Sequence, residues 1–295
     1  GTAVPLQATP GRRSFTGMVG LPQRAGQRTR KRPGSGRSGS SCGWFCISAV
    51  FWITGAILQG EWQILLWIIA AICDYTAPMH GFALPRLGRS DSSKEWTIEG
   101  HHLVERCQLF VIIAFGETLL MTGASLSEVE EWTPLVIISA VISFIGSLAM
   151  WWVYFDVSSE AGSRKIQEVK DPGKLGLIYN AIHIVLVGAL IICAVGDELI
   201  VAHPEQEMRA EVVFVLIIGP IVYILANSIY KYVTCRMLPL SHIIAVIALA
   251  LLLPWPYHIS LLTMNILVTS VFIFVIVFDM LFPNKGFKIK WEPKI

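Results

Sequence analysis

The chain has 295 residues, 54% of them hydrophobic and 15% charged, with a mean hydropathy of +0.60. Globular chains carry ~25% charged residues, and here the apolar residues fall in blocks of about twenty, enough at 1.5 Å per residue to cross a ~30 Å hydrocarbon core. That pattern excludes a soluble α/β protein, whose apolar runs are shorter and alternate; the net charge of +2 says little beside where the charges sit.

Residues 1–43 are rich in Gly, Ser, Arg and Pro and carry eight Lys and Arg with no acid. Such a segment cannot bury a core and is expected to be a disordered basic tail. Tails of this kind attract anionic lipid or nucleic acid; a solvated tail, or sequence not native to the protein, are the plainer readings.

From Trp44 the apolar blocks predict an all-α, multi-pass transmembrane helical bundle over 44–281, followed by a short basic tail at 282–295. The expected spans are 44–59, 62–80, 103–124, 133–155, 177–201, 211–230, 239–253 and 258–280, about eight in all. The first and seventh are short for a full crossing. With the tail inside, all but two of the 23 Lys and Arg, Arg106 and Arg209, fall on one side. That is what the positive-inside rule asks for, and it puts both termini in the cytoplasm. Trp44, Trp62, Trp96, Trp132 and Trp255 stand near span ends, as interfacial aromatics do.

The third span carries the chemistry. Glu105, Arg106 and Glu117 lie in a run otherwise apolar enough to span a bilayer, where an ionisable group costs ~2.5–3.5 kcal/mol and needs a partner or water. At 100° per residue, 102, 106, 109, 113 and 117 form one stripe. Arg106 and Glu117 share that face but stand ~16 Å apart along it, so they cannot pair. Gly116 and Gly123 would let another backbone approach. One reading is an ion or proton pathway, with Glu117 holding a cation or proton, Arg106 and Glu105 gating its mouth, and His102 titrating beside them. The other is a set of interhelical locks. Asp74, inside the second span, is the next candidate.

Asp156 and Asp279 sit at span ends, where a solvated carboxylate needs no explanation, and Asp197-Glu198 lies close enough to a boundary to be wet. His183 reads as either a ligand or a hydrogen-bonded packing residue, with packing favoured; His80, Asn227, His242 and Asn265 are further polar groups in or near spans. His101 and His102 point ~100° apart and chelate poorly, and no HExxH is present, so no metal site is expected. The six cysteines include no CxxC pair and read as buried thiols. There is no P-loop, no GxSxG elbow and no nucleophile–base pair, so neither ATP-driven transport nor enzymatic activity is expected, and no cofactor.

One stretch resembles a known family. His102, Leu103, Glu105 and Arg106, then Leu109 to Ile113 and Gly116-Glu117, are similar to the hallmark of the bacterial low temperature requirement A (LtrA) family of multi-pass membrane proteins. Asp74-Tyr75 with Pro78, the run Trp151 to Asp156, and more weakly Gly188, Gly196, Glu198 and His203-Pro204 extend the resemblance over 44–281. Family members begin with a Glu-Leu-Phe-Phe-Asp-Leu segment and further spans; nothing similar precedes Trp44, so a truncated or rearranged chain is expected. The family name records growth in the cold and implies no molecular activity. The expectation is an inner-membrane protein moving or conducting a small ion or solute, with stress-related structural duty as the alternative. Its partners would be the lipid bilayer, the ion or solute and a second copy of the chain; nucleic acid is not among them.

Overall fold

The computed structural model describes residues 37–58, 60–80, 100–156, 172–254, 259–282 and 286–288. The helices are α1 (Arg37–Leu58), α2 (Glu61–Met79), α3 (Gly100–Glu128), α4 (Pro134–Phe155), α5 (Pro172–Ala202), α6 (Ala210–Val213), α7 (Gly219–Cys235), α8 (Leu240–Leu252) and α9 (Leu261–Leu281). A π-helical turn, Phe214–Ile218, joins α6 to α7 into one continuous helix. Among the described residues there are therefore eight helices, and each of the apolar blocks read from sequence falls in one. Helix α1 begins at Arg37, inside the segment read as a tail; the rest of that segment, 1–36, lies outside the described residues. Among the described residues five helical stretches are long and apolar enough to cross a membrane: His102–Glu128, Pro134–Phe155, Leu175–Ala202, Phe214–Cys235 and Leu261–Leu281. The stretches Cys42–Leu58 and Leu240–Leu252 are apolar but shorter.

Local chemistry sets the boundaries. Thr133 caps α4 by accepting the Val136 N–H at 3.3 Å, with Pro134 in the first turn where its missing N–H costs nothing. Ser260 caps α9 through the Thr263 N–H in the same way. Gly60, between α1 and α2, has φ +69°, which glycine adopts without strain. The two helices form a hairpin whose Trp52 and Trp67 rings lie 6.0 Å apart, and this hairpin packs chiefly on itself.

Helices α3, α4, α5, α7, α8 and α9 share one core. The longest interface runs between α3 and α5, followed by α5 with α7 and α4 with α9. Large apolar side chains such as Leu109, Phe110, Ile113, Leu148 and Phe274 point outward, as they must where lipid is the solvent. At one end of the bundle the segments leading out of α5 and into α9 satisfy each other: Leu261 and Leu262 N–H donate to the Gln206 and Pro204 carbonyls at 3.0 and 3.1 Å. At the other end β1 (Met237–Pro239) pairs antiparallel with β2 (Gly286–Lys288). The ribbon falls partly in the tail expected at 282–295 and was not read from sequence.

Candidate functional site

The stripe on α3 stays whole. His102, Arg106, Leu109, Ile113 and Glu117 are all exposed, while Val104, Cys107, Val111, Ala114 and Phe115 face the core. His102 Nδ1 meets Glu105 Oε2 at 3.1 Å on the exposed surface. Glu117 and Arg106 have no polar partner among the described residues. Asp74 sits apart on α2, half-buried, accepting from Trp52 Nε1 at 3.1 Å. The structure thus joins His102 to Glu105 and leaves Glu117, Arg106 and Asp74 apart.

The buried polar chemistry lies elsewhere. Asp197 on α5 is 7% exposed, where the sequence had suggested a wet carboxylate at a span boundary. The reason is packing: α4, α9 and the π turn close around it. Ser147 Oγ on α4 lies 3.5 Å from Asp197 Oδ2, with Ser143 one turn away on the same face. From α9, Asn265 Nδ2 donates to Ser143 Oγ at 2.9 Å, and Thr269 Oγ1 stands 3.4 Å from Asn265 Oδ1. Asp197, Ser147, Asn265 and Thr269 line a cavity of about 30 Å3, together with Val215, Leu216 and Pro220. That is room for a water or a bare small cation.

The π turn belongs to this site. Pro220 has no N–H. The absent donor is the one that would serve the Leu216 carbonyl in α register and the Val215 carbonyl in π register. The chain takes up the fault by widening: the Gly219 N–H reaches back to the Phe214 carbonyl. Glycines bring the helices close around the gap. A Cβ on Gly146 would stand 3.0 Å from Thr269 Oγ1, and one on Gly196 would stand 2.9 Å from Leu216 Cδ2 and 3.6 Å from the Val215 oxygen. Three signals in the sequence mark the site in retrospect. They are Gly-Pro inside an apolar block, Ser143 with Ser147, and Asn265 with Thr269, each pair one helical turn apart.

Two further networks occupy the opposite half. Tyr154 OH lies 2.8 Å from His183 Nε2, and His183 Nδ1 lies 2.8 Å from the Tyr179 carbonyl. The carbonyl only accepts, so Nδ1 carries the proton and Nε2 accepts from Tyr154. Tyr179 and Tyr230 meet hydroxyl to hydroxyl at 3.0 Å, and Tyr230 stacks on Tyr154 at 5.4 Å. Closer to that end, Lys231 is 8% exposed and lies 3.3 Å from Asp279 and 3.9 Å from Asp156. The two carboxylates that read as solvated therefore flank a buried ammonium. Ser241 gives its proton to Asp279 Oδ1 at 2.5 Å, so it accepts from His242 Nδ1 at 3.1 Å. A neutral His242 then needs a donor at Nε2, where Asn227 Oδ1 lies 3.3 Å away while Asn227 Nδ2 has no partner. Turning that amide end for end completes the network.

The six cysteines are free thiols, and among the described residues no three His, Cys, Asp or Glu gather as a metal-binding group. Between α3 and α4 an apolar groove runs past Phe115, Gly116 and Leu119 on one side and Phe144, Leu148 and Trp151 on the other. Ser147 lines both this groove and the Asp197 cavity.

The family model described as bacterial low temperature requirement A protein (LtrA) matches residues 16–277. An uncharacterized protein of Rhizobium meliloti is 34% identical over 206 residues, covering 69% of this chain. The chain spans about half, 49%, of that protein's length. No solved structure matches.

Proposed function

The chain belongs to the bacterial low temperature requirement A family of membrane proteins, and from that premise we propose that it moves or conducts a small ion or solute across the bilayer. The observation that carries this reading is Asp197: a carboxylate held inside the bundle, beside a cavity and a helix widened by a π turn at a proline. Intramembrane ionisable groups are expensive to keep, and transport sites are commonly built where a helix is interrupted. The path passes the open face of α3 at Glu117, follows the groove to Ser147 and reaches Asp197. All eight helices cross or enter the bilayer in this reading, both termini face the cytoplasm, and the membrane is the inner membrane. The distribution of Lys and Arg supports that orientation.

The test is flux in proteoliposomes with a fluorescent reporter of internal ion or proton concentration. Flux above that of empty vesicles, lost in Asp197→Asn and reduced in Glu117→Gln while both variants elute and melt as folded protein, supports the reading. Wild-type protein that carries no flux in any gradient overturns it.

A second reading has its own observation. The Lys231, Asp279 and Asp156 cluster and the Tyr154–His183–Tyr179 chain tie α4, α5, α7 and α9 together. They suit a protein whose polar residues fix the bundle and carry nothing. In that case Asp197→Asn lowers the melting temperature and no variant alters flux.

A further inference from the structure

We propose that the Asp197 cavity is a binding site for a single dehydrated monovalent cation of the size of Na⁺. The inference rests on the transport reading for its biological meaning, but its chemistry stands on the cavity itself.

The donor set consists of hard oxygens. It comprises the Asp197 carboxylate, the Ser147 and Thr269 hydroxyls and the Asn265 amide oxygen, with Val215 and Leu216 also on the wall. Cations without d-electron preferences take such ligands, whereas soft metals want the thiolates and imidazoles absent from this lining. Cys193 and Met150 are the two sulfur-bearing exceptions on the wall. The charge count selects the valence. One carboxylate balances one positive charge; a divalent ion would leave a net charge inside a low-dielectric bundle.

The hydrogen bonds are loose where a cation would tighten them. A hydroxyl donating to a carboxylate usually approaches to ~2.5–2.7 Å, yet Ser147 stands 3.5 Å from Asp197. Thr269 stands 3.4 Å from Asn265. Both oxygens can turn their lone pairs inward once an ion replaces the proton-mediated contact. The backbone supplies the rest. Pro220, on the wall, takes away a donor that the carbonyl of Leu216 or Val215, two other wall residues, would use, and backbone carbonyls freed from helical hydrogen bonds are a common source of ligands at intramembrane cation sites. The cavity of about 30 Å3 has room for a water-sized sphere, so volume alone does not choose between Na⁺ and K⁺. Field strength does: a carboxylate in direct contact favours the ion of higher charge density, so Na⁺ is held over K⁺.

The experiment measures thermal unfolding of the purified full chain in detergent by intrinsic tryptophan fluorescence. Choline chloride is replaced stepwise by NaCl, LiCl or KCl at constant ionic strength. The expected result is a saturable rise in midpoint with Na⁺ or Li⁺ and none with K⁺, lost in Asp197→Asn. Should Asp197→Asn fail to fold, Thr269→Val and Ser147→Ala test the same cage and are expected to weaken the Na⁺ response without removing the fold. A midpoint equally indifferent to Na⁺, K⁺ and choline overturns the site, as does an undiminished Na⁺ response in Asp197→Asn or, if that variant does not fold, in the other two. Flux measurements separate the two proposals. A Na⁺ response without flux keeps the site and removes the transport reading; Asp197-dependent flux of protons without any Na⁺ response does the reverse.

Discussion

Replacing Lys231 by Met tests the bundle where its electrostatics are most exposed to arithmetic. The ammonium is buried between Asp279 at 3.3 Å and Asp156 at 3.9 Å. Removing one member of a buried pair costs ~3–5 kcal/mol, because the other charge is stranded. Asp279 and Asp156 keep 20% and 33% of their side-chain exposure, so water screens part of the loss and the expected cost is ~2–3 kcal/mol. Asp279→Asn leaves Lys231 with Asp156 and leaves Ser241 an acceptor, and is expected to cost ~1–2 kcal/mol. Asp156→Asn, the more distant and more exposed partner, should cost under ~1 kcal/mol. The double variant Lys231→Met with Asp279→Leu should recover part of the loss, since it removes both charges together. Reversible unfolding in mixed micelles with rising dodecyl sulfate, followed by tryptophan fluorescence, reads these values against Arg106→Met as an exposed control. The reasoning is refuted if Lys231→Met is no worse than Arg106→Met, or if Asp156→Asn is the costliest of the series.

Three other outcomes are expected. Gly219→Val drives a side chain into Ile192 Cγ2, which stands 2.8 Å from the Cβ position, and should lower stability by ~1–3 kcal/mol. Gly188→Ala meets nothing within 4 Å and should be neutral or raise stability by up to ~1 kcal/mol; equal effects of the two in the same unfolding assay would sink the packing argument. Tyr154→Phe strands His183 Nε2 and should cost ~1–3 kcal/mol, a loss that Trp151→Phe on the exposed side does not share. Glu117→Leu, with no polar partner among the described residues, should leave the unfolding midpoint within ~0.5 kcal/mol of wild type, as surface changes do. If it destabilises the chain strongly, Glu117 is a lock rather than part of a path.

The helices were legible because each is apolar along most of its length, and each of the eight apolar blocks falls in one, five of them in stretches long enough to cross a membrane among the described residues. The stripe on α3 was legible for the same reason that any helical face is: a fixed angle per residue. What lies opposite a face is not written in one segment. Asp197 looked wet because it stands near the end of an apolar run, but three other elements close over it. Asp156 and Asp279 looked solvated because each is terminal in its own helix, and only the assembled bundle brings Lys231 between them. Pro220 shows in the sequence as a residue hostile to a helix interior. Whether the chain would kink, break or widen there depended on Gly196 and Gly219 letting neighbouring helices come close.

The ribbon of β1 and β2 has a mechanical consequence. It fastens the chain beyond α9 to the corner between α7 and α8, through three paired residues from Met237 with Lys288 to Pro239 with Gly286. The segment from β1 to β2 is thereby a closed ring. Helix α9 cannot slip a register step along α8 without tearing the ladder. With Lys231 gripping Asp279 nearby, α7, α8 and α9 are tied together at that end. If the chain transports as proposed, those three helices form the held part, and motion falls on the contacts that α4 and α5 make with them. Ser143 to Asn265 is one such contact, and the Asp197 cavity sits on that seam.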